Sequence, residues 1–157
     1  MSEIWKPHVA VAAVIEDAGR FLLVEEIIEG ERVFNQPAGH LDPDESLLEA
    51  VIRETMEEAA VDFTPTHLVG VYLMRIPEKG RTYLRFAFCG ELGRAYPDRE
   101  LDSEIIRTHW LTRAEIADLG ALLRNHLVEQ CIDDYLAGIR APLALLKTYG
   151  MTGGAPE

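Results

Sequence analysis

Runs of apolar, β-prone residues predict six strands along the chain. Residues 8–15 (HVAVAAVI) are almost continuously apolar, as in a strand that is covered on both faces. Further strands are predicted at 21–28, 32–34, 68–76, 82–91 and 105–111. Turn-forming residues separate the early strands at 17–19, 29–31 and 36–39, and a turn at 77–80 indicates a hairpin between 68–76 and 82–91.

Three segments have the spacing of helices. The first is predicted over 46–59, with Asp44 and Glu45 near its positively polarised start. The others are predicted over 113–119 and 125–139, and in the last of these apolar side chains recur at helical spacing. We find no internal repeat or linker. The expected architecture is therefore one α/β domain with a mixed β-sheet over residues 1–150, followed by a loose tail at 151–157.

The composition fits a single folded domain with a substantial core, since 48% of the 157 residues are apolar and 27% are charged. The net charge is −12 and the pI about 4.8. Nucleic acid and anionic membranes are not expected as partners, because binding them requires basic patches. The chain shows no membrane-length apolar run and no signal-peptide pattern, so we expect a cytoplasmic protein. The oligomeric state stays open.

A concentration of carboxylates between Gly39 and Asp62 changes this picture. Eight acidic residues fall there: Asp42, Asp44, Glu45, Glu49, Glu54, Glu57, Glu58 and Asp62. Only Arg53 opposes them, so this short segment carries a charge of −7. Such repulsion is costly unless a cation neutralises it, and a hard divalent metal with oxygen ligands is the natural candidate.

Within the predicted helix, Glu54, Glu57 and Glu58 share one arc about 100° wide. The opposite stripe, expected to face the core, consists of Leu48, Val51, Ile52, Thr55 and Ala59. A solvated acidic face is the simpler interpretation of an isolated ExxEE pattern. The neighbouring Gly39, Glu45 and Arg53 favour a metal site, and we expect Arg53 to orient carboxylates such as Glu45.

These residues occur in a recognisable register. Gly39-x5-Glu45-x7-Arg53-Glu54-Thr55-x-Glu57-Glu58-x-Ala60-Val61 resembles the Nudix box, G-x5-E-x7-R-E-U-x-E-E-x-G-U, where U is a bulky aliphatic residue. Thr55 replaces the aliphatic residue and Ala60 replaces the second glycine. A left-handed conformation at Ala60 would cost roughly 1–2 kcal/mol more than at glycine.

The similarity extends beyond the box to the bacterial NudJ group of this family. It is carried by Trp5-Lys-Pro-His-Val9, Val24-Glu25-Glu26, Asn35-Gln-Pro-Ala-Gly-His-Leu41, Leu84-Arg85-Phe86 and Asp102-Ser103…Trp110. The resemblance implies an α/β/α sandwich and Mg²⁺-dependent (or Mn²⁺-dependent) hydrolysis of phosphoanhydrides. Expected substrates are nucleoside tri- and diphosphates and the pyrophosphate of the thiamine pyrimidine.

Carried over by position, the resemblance implies that Glu54, Glu57 and Glu58 bind the metal, with the Gly39 carbonyl as a further candidate. Glu54 or Glu58 is the candidate general base, because Nudix enzymes vary in this respect. Glu104 resembles a loop glutamate that in some members is a ligand or base, although a solvated loop acid is about as plausible.

The sequence gives weaker indications for substrate-binding residues than for metal ligands. Arg85, the single charged residue in an aromatic-rich strand, suits a phosphate clamp, but an outward-facing arginine explains it equally well. Phe34 and Tyr83 could stack on a ring, although core positions are the commoner role for aromatic residues. His40 could touch phosphate or be structural.

Two alternative functions are less well supported by the sequence. ADP-ribose and dinucleoside polyphosphate hydrolases usually carry Pro or Tyr 15 or 16 residues beyond the second box glycine, where this chain has Arg75 and Ile76. A non-catalytic nucleotide sensor would be expected to lose box carboxylates, and this chain retains them all.

Overall fold

The structure, a computed structural model, describes residues 2–151. The predicted tail beyond Met151 lies outside the described residues. The strands are β1 His8–Val14, β2 Glu16–Asp17, β3 Arg20–Ile28, β4 Glu31–Asn35, β5 Ala38–His40, β6 Val61–Ile76, β7 Arg81–Ala95, β8 Ile105–Thr112 and β9 Ala141–Pro142. The helices are α1 Leu47–Ala59, α2 Arg113–Leu119 and α3 Leu127–Leu136.

Two sheets form the centre of the molecule. One has the strand order β5-β1-β7-β6-β9, and in it β1 and β7 run parallel while the other neighbours are antiparallel. The other contains β2, β3 and β4, with β8 paired to β3. Helix α1 packs on one hydrophobic cluster, around Phe88, and α2 and α3 pack on another, around Ala87. Neighbouring residues of β7 thus face opposite cores, and the predicted α/β/α sandwich with a mixed sheet is confirmed.

Local sequence sets both ends of α1. Ser46 is the N-cap, and its hydroxyl accepts a hydrogen bond from the Glu49 amide while the Glu49 carboxylate accepts one from the Ser46 amide. At the other end Ala60 has φ 53° and ψ 45°, a left-handed conformation. The helix buries Val51, Thr55 and Ala59 as expected. Ile52 is 42% exposed, so its assignment to the core-facing stripe was wrong.

The β6–β7 hairpin is longer than its hydrophobic pattern predicts, and the residues 77–79 between its strands form one 3-10 turn. The pattern fails because β6 is irregular: its register with β7 shifts three times, between residues 61 and 70. The segment 38–40, predicted as part of a break, is strand β5 and pairs with β1. Helix α3 is shorter than the predicted 125–139.

No helix among residues 2–151 is both long and apolar enough to cross a membrane.

Candidate active site

A cleft of about 310 Å³ receives residues from both sheets, from α1, and from the segments that precede β8 and α3. Its acidic lining residues are Glu26, Asp42, Glu54, Glu58, Asp102 and Glu104. Its other polar and aromatic lining residues include Asn35, His40, Tyr83, Arg85, Arg124 and Asn125. The cleft is therefore lined by six carboxylates and two arginines, and one of these arginines, Arg124, pairs with Glu26 at 2.9 Å.

Three carboxylates converge closely enough to share a cation. One oxygen each from Glu54, Glu57 and Asp102 lie within 4.8 Å of one another. Glu54 and Glu57 are on α1, whereas Asp102 is on the loop before β8, and its amide donates to the Glu57 carbonyl at 3.0 Å. Sequence reasoning missed Asp102 as a ligand candidate. The only signal was a second acidic pair, Asp102 and Glu104, directly before a predicted strand.

Glu58 follows Glu57 in the sequence, but its carboxylate is not one of the three that converge. Its Oε1 accepts a hydrogen bond from the Ala38 amide at 2.9 Å, which ties α1 to β5. Burial raises the pKa of Glu58 to about 9, against the opposing effect of that hydrogen bond. Burial likewise raises the pKa of Glu54 to about 7, although Arg53 counteracts the rise.

These carboxylates fit a divalent metal. They are hard oxygen donors, and Glu54 and Glu58 are only 8% and 7% exposed. Burial disfavours the ionised form of both carboxyl groups, which is why their pKa values are raised, and a bound cation would favour that form. Glu54, Glu57 and Asp102 would hold the ion, and Glu58 lies beside Glu57 on the same helix.

Gly39 is required by the position of Glu54. A Cβ at residue 39 would overlap the Glu54 carboxyl group, and every one of its three nearest atoms belongs to that group. Gly39 does not need a left-handed backbone, so its function is to leave room. The absence of a side chain lets Glu54 lie directly against β5.

Arg53 organises the acidic side of the cleft. Its Nε and Nη2 donate to both oxygens of Glu45, and its Nη1 donates to Glu54 at 2.9 Å and to Glu57 at 3.2 Å. Nη2 also donates to the His40 carbonyl. The expected contact with Glu45 is present. The contact with its sequence neighbour Glu54 was not expected, and the length of the arginine side chain makes it possible.

Arg85 lines the cleft and is 5% exposed, so the alternative of an outward-facing strand arginine was wrong. Its Nη2 donates to Gln36 and Asn35. Phe34 does not line the cleft: the residue is 3% exposed and belongs to the core cluster on which α3 packs. It contacts His109 instead, with ring centroids 5.3 Å apart.

The remaining candidates lie at the cleft. The rings of His40 and Tyr83 have centroids 6.0 Å apart, and His8 approaches Tyr83 to 5.5 Å. Burial, together with the neighbouring His8, lowers the pKa of His40. Glu104 lines the cleft, and its main-chain carbonyl accepts a hydrogen bond from Ile27, which fixes the loop against β3.

Comparison with known proteins agrees with this geometry. The NUDIX domain model matches residues 6–131. The chain belongs to the Nudix family. Phosphatase NudJ of Escherichia coli (strain K12) is 41% identical over 143 residues, which are 91% of this chain and 92% of the relative. The protein is therefore a Nudix hydrolase, an enzyme that acts on pyrophosphate bonds.

Solved structures show the same fold. A Nudix hydrolase from Nitrosomonas europaea is 48% identical, with a TM-score of 0.90 over 92% of this chain and 98% of that one. The NUDIX domain of Shewanella oneidensis NrtR, solved with ADP-ribose, is 16% identical with a TM-score of 0.66 over 85% of this chain and 90% of that one. At that identity the second likeness concerns the fold alone.

Proposed function

We propose that this Nudix hydrolase cleaves the phosphoanhydride bonds of nucleoside tri- and diphosphates, and of the thiamine pyrimidine pyrophosphate, with Mg²⁺ as its metal. Mn²⁺ is the expected substitute. The supporting observation is the convergence of Glu54, Glu57 and Asp102, two of which, Glu54 and Asp102, line the cleft. The relatives with the name phosphatase NudJ support a phosphate ester or anhydride as substrate. We expect the enzyme to work in the cytoplasm.

The bound cation would supply charge neutralisation for phosphate oxygens and would acidify a coordinated water. The protein side chains have three further roles. Glu58, buried and held by the Ala38 amide, would accept a proton from the attacking water, with Glu54 as the alternative base. Arg53 keeps Glu45, Glu54 and Glu57 oriented. Glu104, which lines the same cleft, would contribute a further ligand or base.

Arg85, which lines the same cleft, is proposed to bind a phosphate oxygen, since its guanidinium has no carboxylate partner among the described residues. Tyr83 and His40 would contact the organic group. Few side chains are available to recognise that group. We therefore propose broad specificity, with kcat/KM for nucleotides of different bases within about tenfold, a difference of about 1.4 kcal/mol in transition-state binding.

The test is a panel of ATP, GTP, CTP, UTP, their diphosphates, ADP-ribose and the thiamine pyrimidine pyrophosphate. Products are separated by chromatography, and each reaction is run with Mg²⁺, with Mn²⁺ and with a chelator. Metal-dependent hydrolysis of several nucleotides at similar kcat/KM is the expected result.

Other outcomes of the panel would change the assignment. A preference of 10³ or more for one nucleotide, or ADP-ribose as the leading substrate, would contradict broad specificity. Tight nucleotide binding without turnover of any compound would indicate a sensor.

A further inference from the structure

Arg85 is a buried cation without an ion pair in the described part of the chain. Its hydrogen-bond partners are the neutral amide oxygens of Gln36, at 2.7 Å, and Asn35, at 3.3 Å. Its Nε has no partner although it is shielded from solvent. An unpaired buried charge is costly, so it persists only where something else compensates for it.

The acidic and phenolic groups that face Arg85 are already engaged elsewhere. Glu26 on β3 accepts from Arg124 at 2.9 Å, and the Tyr72 hydroxyl on β6 donates to Asp134 at 2.6 Å. Cys131 on α3 also faces Arg85, and burial raises the pKa of its thiol, which favours the neutral form. None of these groups thus forms an ion pair with the guanidinium, which lines the cleft.

Gln36 determines how this arginine is held. The Gln36 side chain is 1% exposed, and its Nε2 donates to the Val128 carbonyl in the first turn of α3 at 2.7 Å. That bond fixes which end of the amide points toward α3. The opposite end, Oε1, must then face Arg85. A glutamate of the same shape would place a negative charge next to both the guanidinium and the Val128 carbonyl.

We propose that Gln36 is a positioning residue for substrate binding: its amide, fixed by α3, holds the Arg85 guanidinium in the cleft wall without neutralising it. The cation is thereby kept available for an anionic group of the substrate. This role rests on the proposed function, because it assumes that the substrate presents an anion to Arg85. Gln36 would thus contribute to substrate binding although it is buried and does not itself contact the substrate.

The decisive variant is Q36E, which preserves shape and adds a charge 2.7 Å from Arg85 Nη2. Kinetics are measured with ADP and Mg²⁺, and equilibrium binding with the non-hydrolysable analogue α,β-methylene-ADP. We expect KM and the dissociation constant of the analogue to rise at least tenfold, while kcat changes less than threefold. The ion pair between the new carboxylate and Arg85 would remove the cation from the substrate but leave the metal-binding carboxylates untouched.

The control is A117E, which adds a carboxylate at an exposed position of α2 outside the cleft lining and should leave both constants unaltered. In an R85Q background, Q36E should change KM and the dissociation constant less than twofold, since its effect passes through Arg85. If Q36E does not fold, as judged by thermal melting, Q36M is the second variant. It is neutral and similar in size, and should raise KM with little change in kcat.

A fall in kcat at unchanged KM, or an equal effect with and without Arg85, would overturn the role of Gln36. Hydrolysis by the unaltered enzyme separates this failure from a failure of the proposed function. An unaltered enzyme that cleaves no phosphoanhydride contradicts the function itself. An active enzyme whose KM is insensitive to Q36E contradicts only the positioning role.

Discussion

Arg53 donates two parallel hydrogen bonds to Glu45, from Nε to Oε2 at 3.0 Å and from Nη2 to Oε1 at 2.7 Å. The planar guanidinium matches the carboxylate, and this contact lowers the pKa of Glu45. The third nitrogen, Nη1, remains free to contact Glu54 and Glu57. One side chain thus fixes carboxylates from both the start and the middle of the acidic segment.

Replacing Arg53 by lysine should lower kcat by about 10- to 100-fold, because an ammonium group keeps the charge but cannot make the paired contact. The measurement is kcat together with the Mg²⁺ concentration at half-maximal rate. Arg113 supplies a control, since it also bridges two carboxylates, Glu129 and Asp133, but does not line the cleft. R113K should leave kcat within twofold, and an equal loss in both variants would contradict a specific role for Arg53.

Glu58→Gln should lower kcat by at least about 10²-fold at saturating Mg²⁺, the size expected for the loss of a major electrostatic contribution. The amide retains an oxygen that can accept from Ala38, so the structure should be preserved. Single-turnover rates with ATP provide the measurement. Near-normal turnover would exclude Glu58 as the base and leave Glu54 as the candidate.

The same variant should be more stable than the unaltered protein when metal is absent. The pKa of Glu58 rises from 4.5 to about 9 on folding, so its favourable contribution is complete below pH 4.5 and is lost as the pH rises toward 9. The stability difference in favour of E58Q should therefore grow from pH 5 to pH 9. Each pKa unit corresponds to about 1.4 kcal/mol, and we expect at least that amount by pH 8.

Urea unfolding with a chelator at several pH values measures this difference. E100Q removes one charge from an exposed loop position and controls for the change in net charge. A difference between E58Q and the unaltered protein that stays constant with pH would show that burial of the Glu58 carboxylate does not cost stability.

Gly39→Ala should reduce kcat by at least about 10²-fold, because its methyl group would force the Glu54 carboxyl out of place. The affinity for Mn²⁺, followed by its paramagnetic resonance signal, should fall in parallel. Gly93→Ala tests an added methyl group at a site away from the cleft, where the nearest atom is the Asp62 Cβ at 3.0 Å. Full activity of G39A would mean that Glu54 need not lie against β5.

Ala60→Gly should stabilise the protein by roughly 1 kcal/mol, since alanine is strained at φ 53° and glycine is not. The neighbouring helical residue gives the opposite expectation. Ala59→Gly should destabilise by about 1 kcal/mol because glycine is a poor helix former. Melting temperatures of the two variants decide the matter, and a lower value for A60G would contradict strain at this helix end.

Local periodicity predicted an α/β domain with a mixed sheet and the carboxylate helix, whereas the sandwich arrangement was implied by the resemblance to the Nudix family. The arc of Glu54, Glu57 and Glu58 follows from 3.6 residues per turn, and β1 follows from its unbroken apolar run. Ile52 was assigned to the core by the same periodicity, yet the acidic side of α1 is also buried, against the cleft. Because α1 is buried on both its apolar and its acidic face, its exposed residues lie between the two faces. Ile52 is one of them, although the hydrophobic pattern assigns it to the core.

The parts that escaped prediction depend on pairing between distant segments. Asp102 joins the carboxylates because its loop returns to the end of α1, 45 residues after Glu57 in the sequence numbering. Gln36 acquires its partners from β7 and α3, which no local pattern indicates. For Phe34 the alternative of a core position was correct, and its main chain bridges to Leu123 in the segment before α3.

The loop that carries Asp102 and Glu104 is fastened through main-chain atoms. The Asp102 amide is bound to α1, and the Glu104 carbonyl accepts from β3. Bonds of this kind survive exchange of side chains, provided that the two donor positions, 27 and 102, are not proline. Directed evolution could therefore diversify residues 97–101, which precede Asp102, without breaking the main-chain hydrogen bonds that hold Asp102 and Glu104 in place.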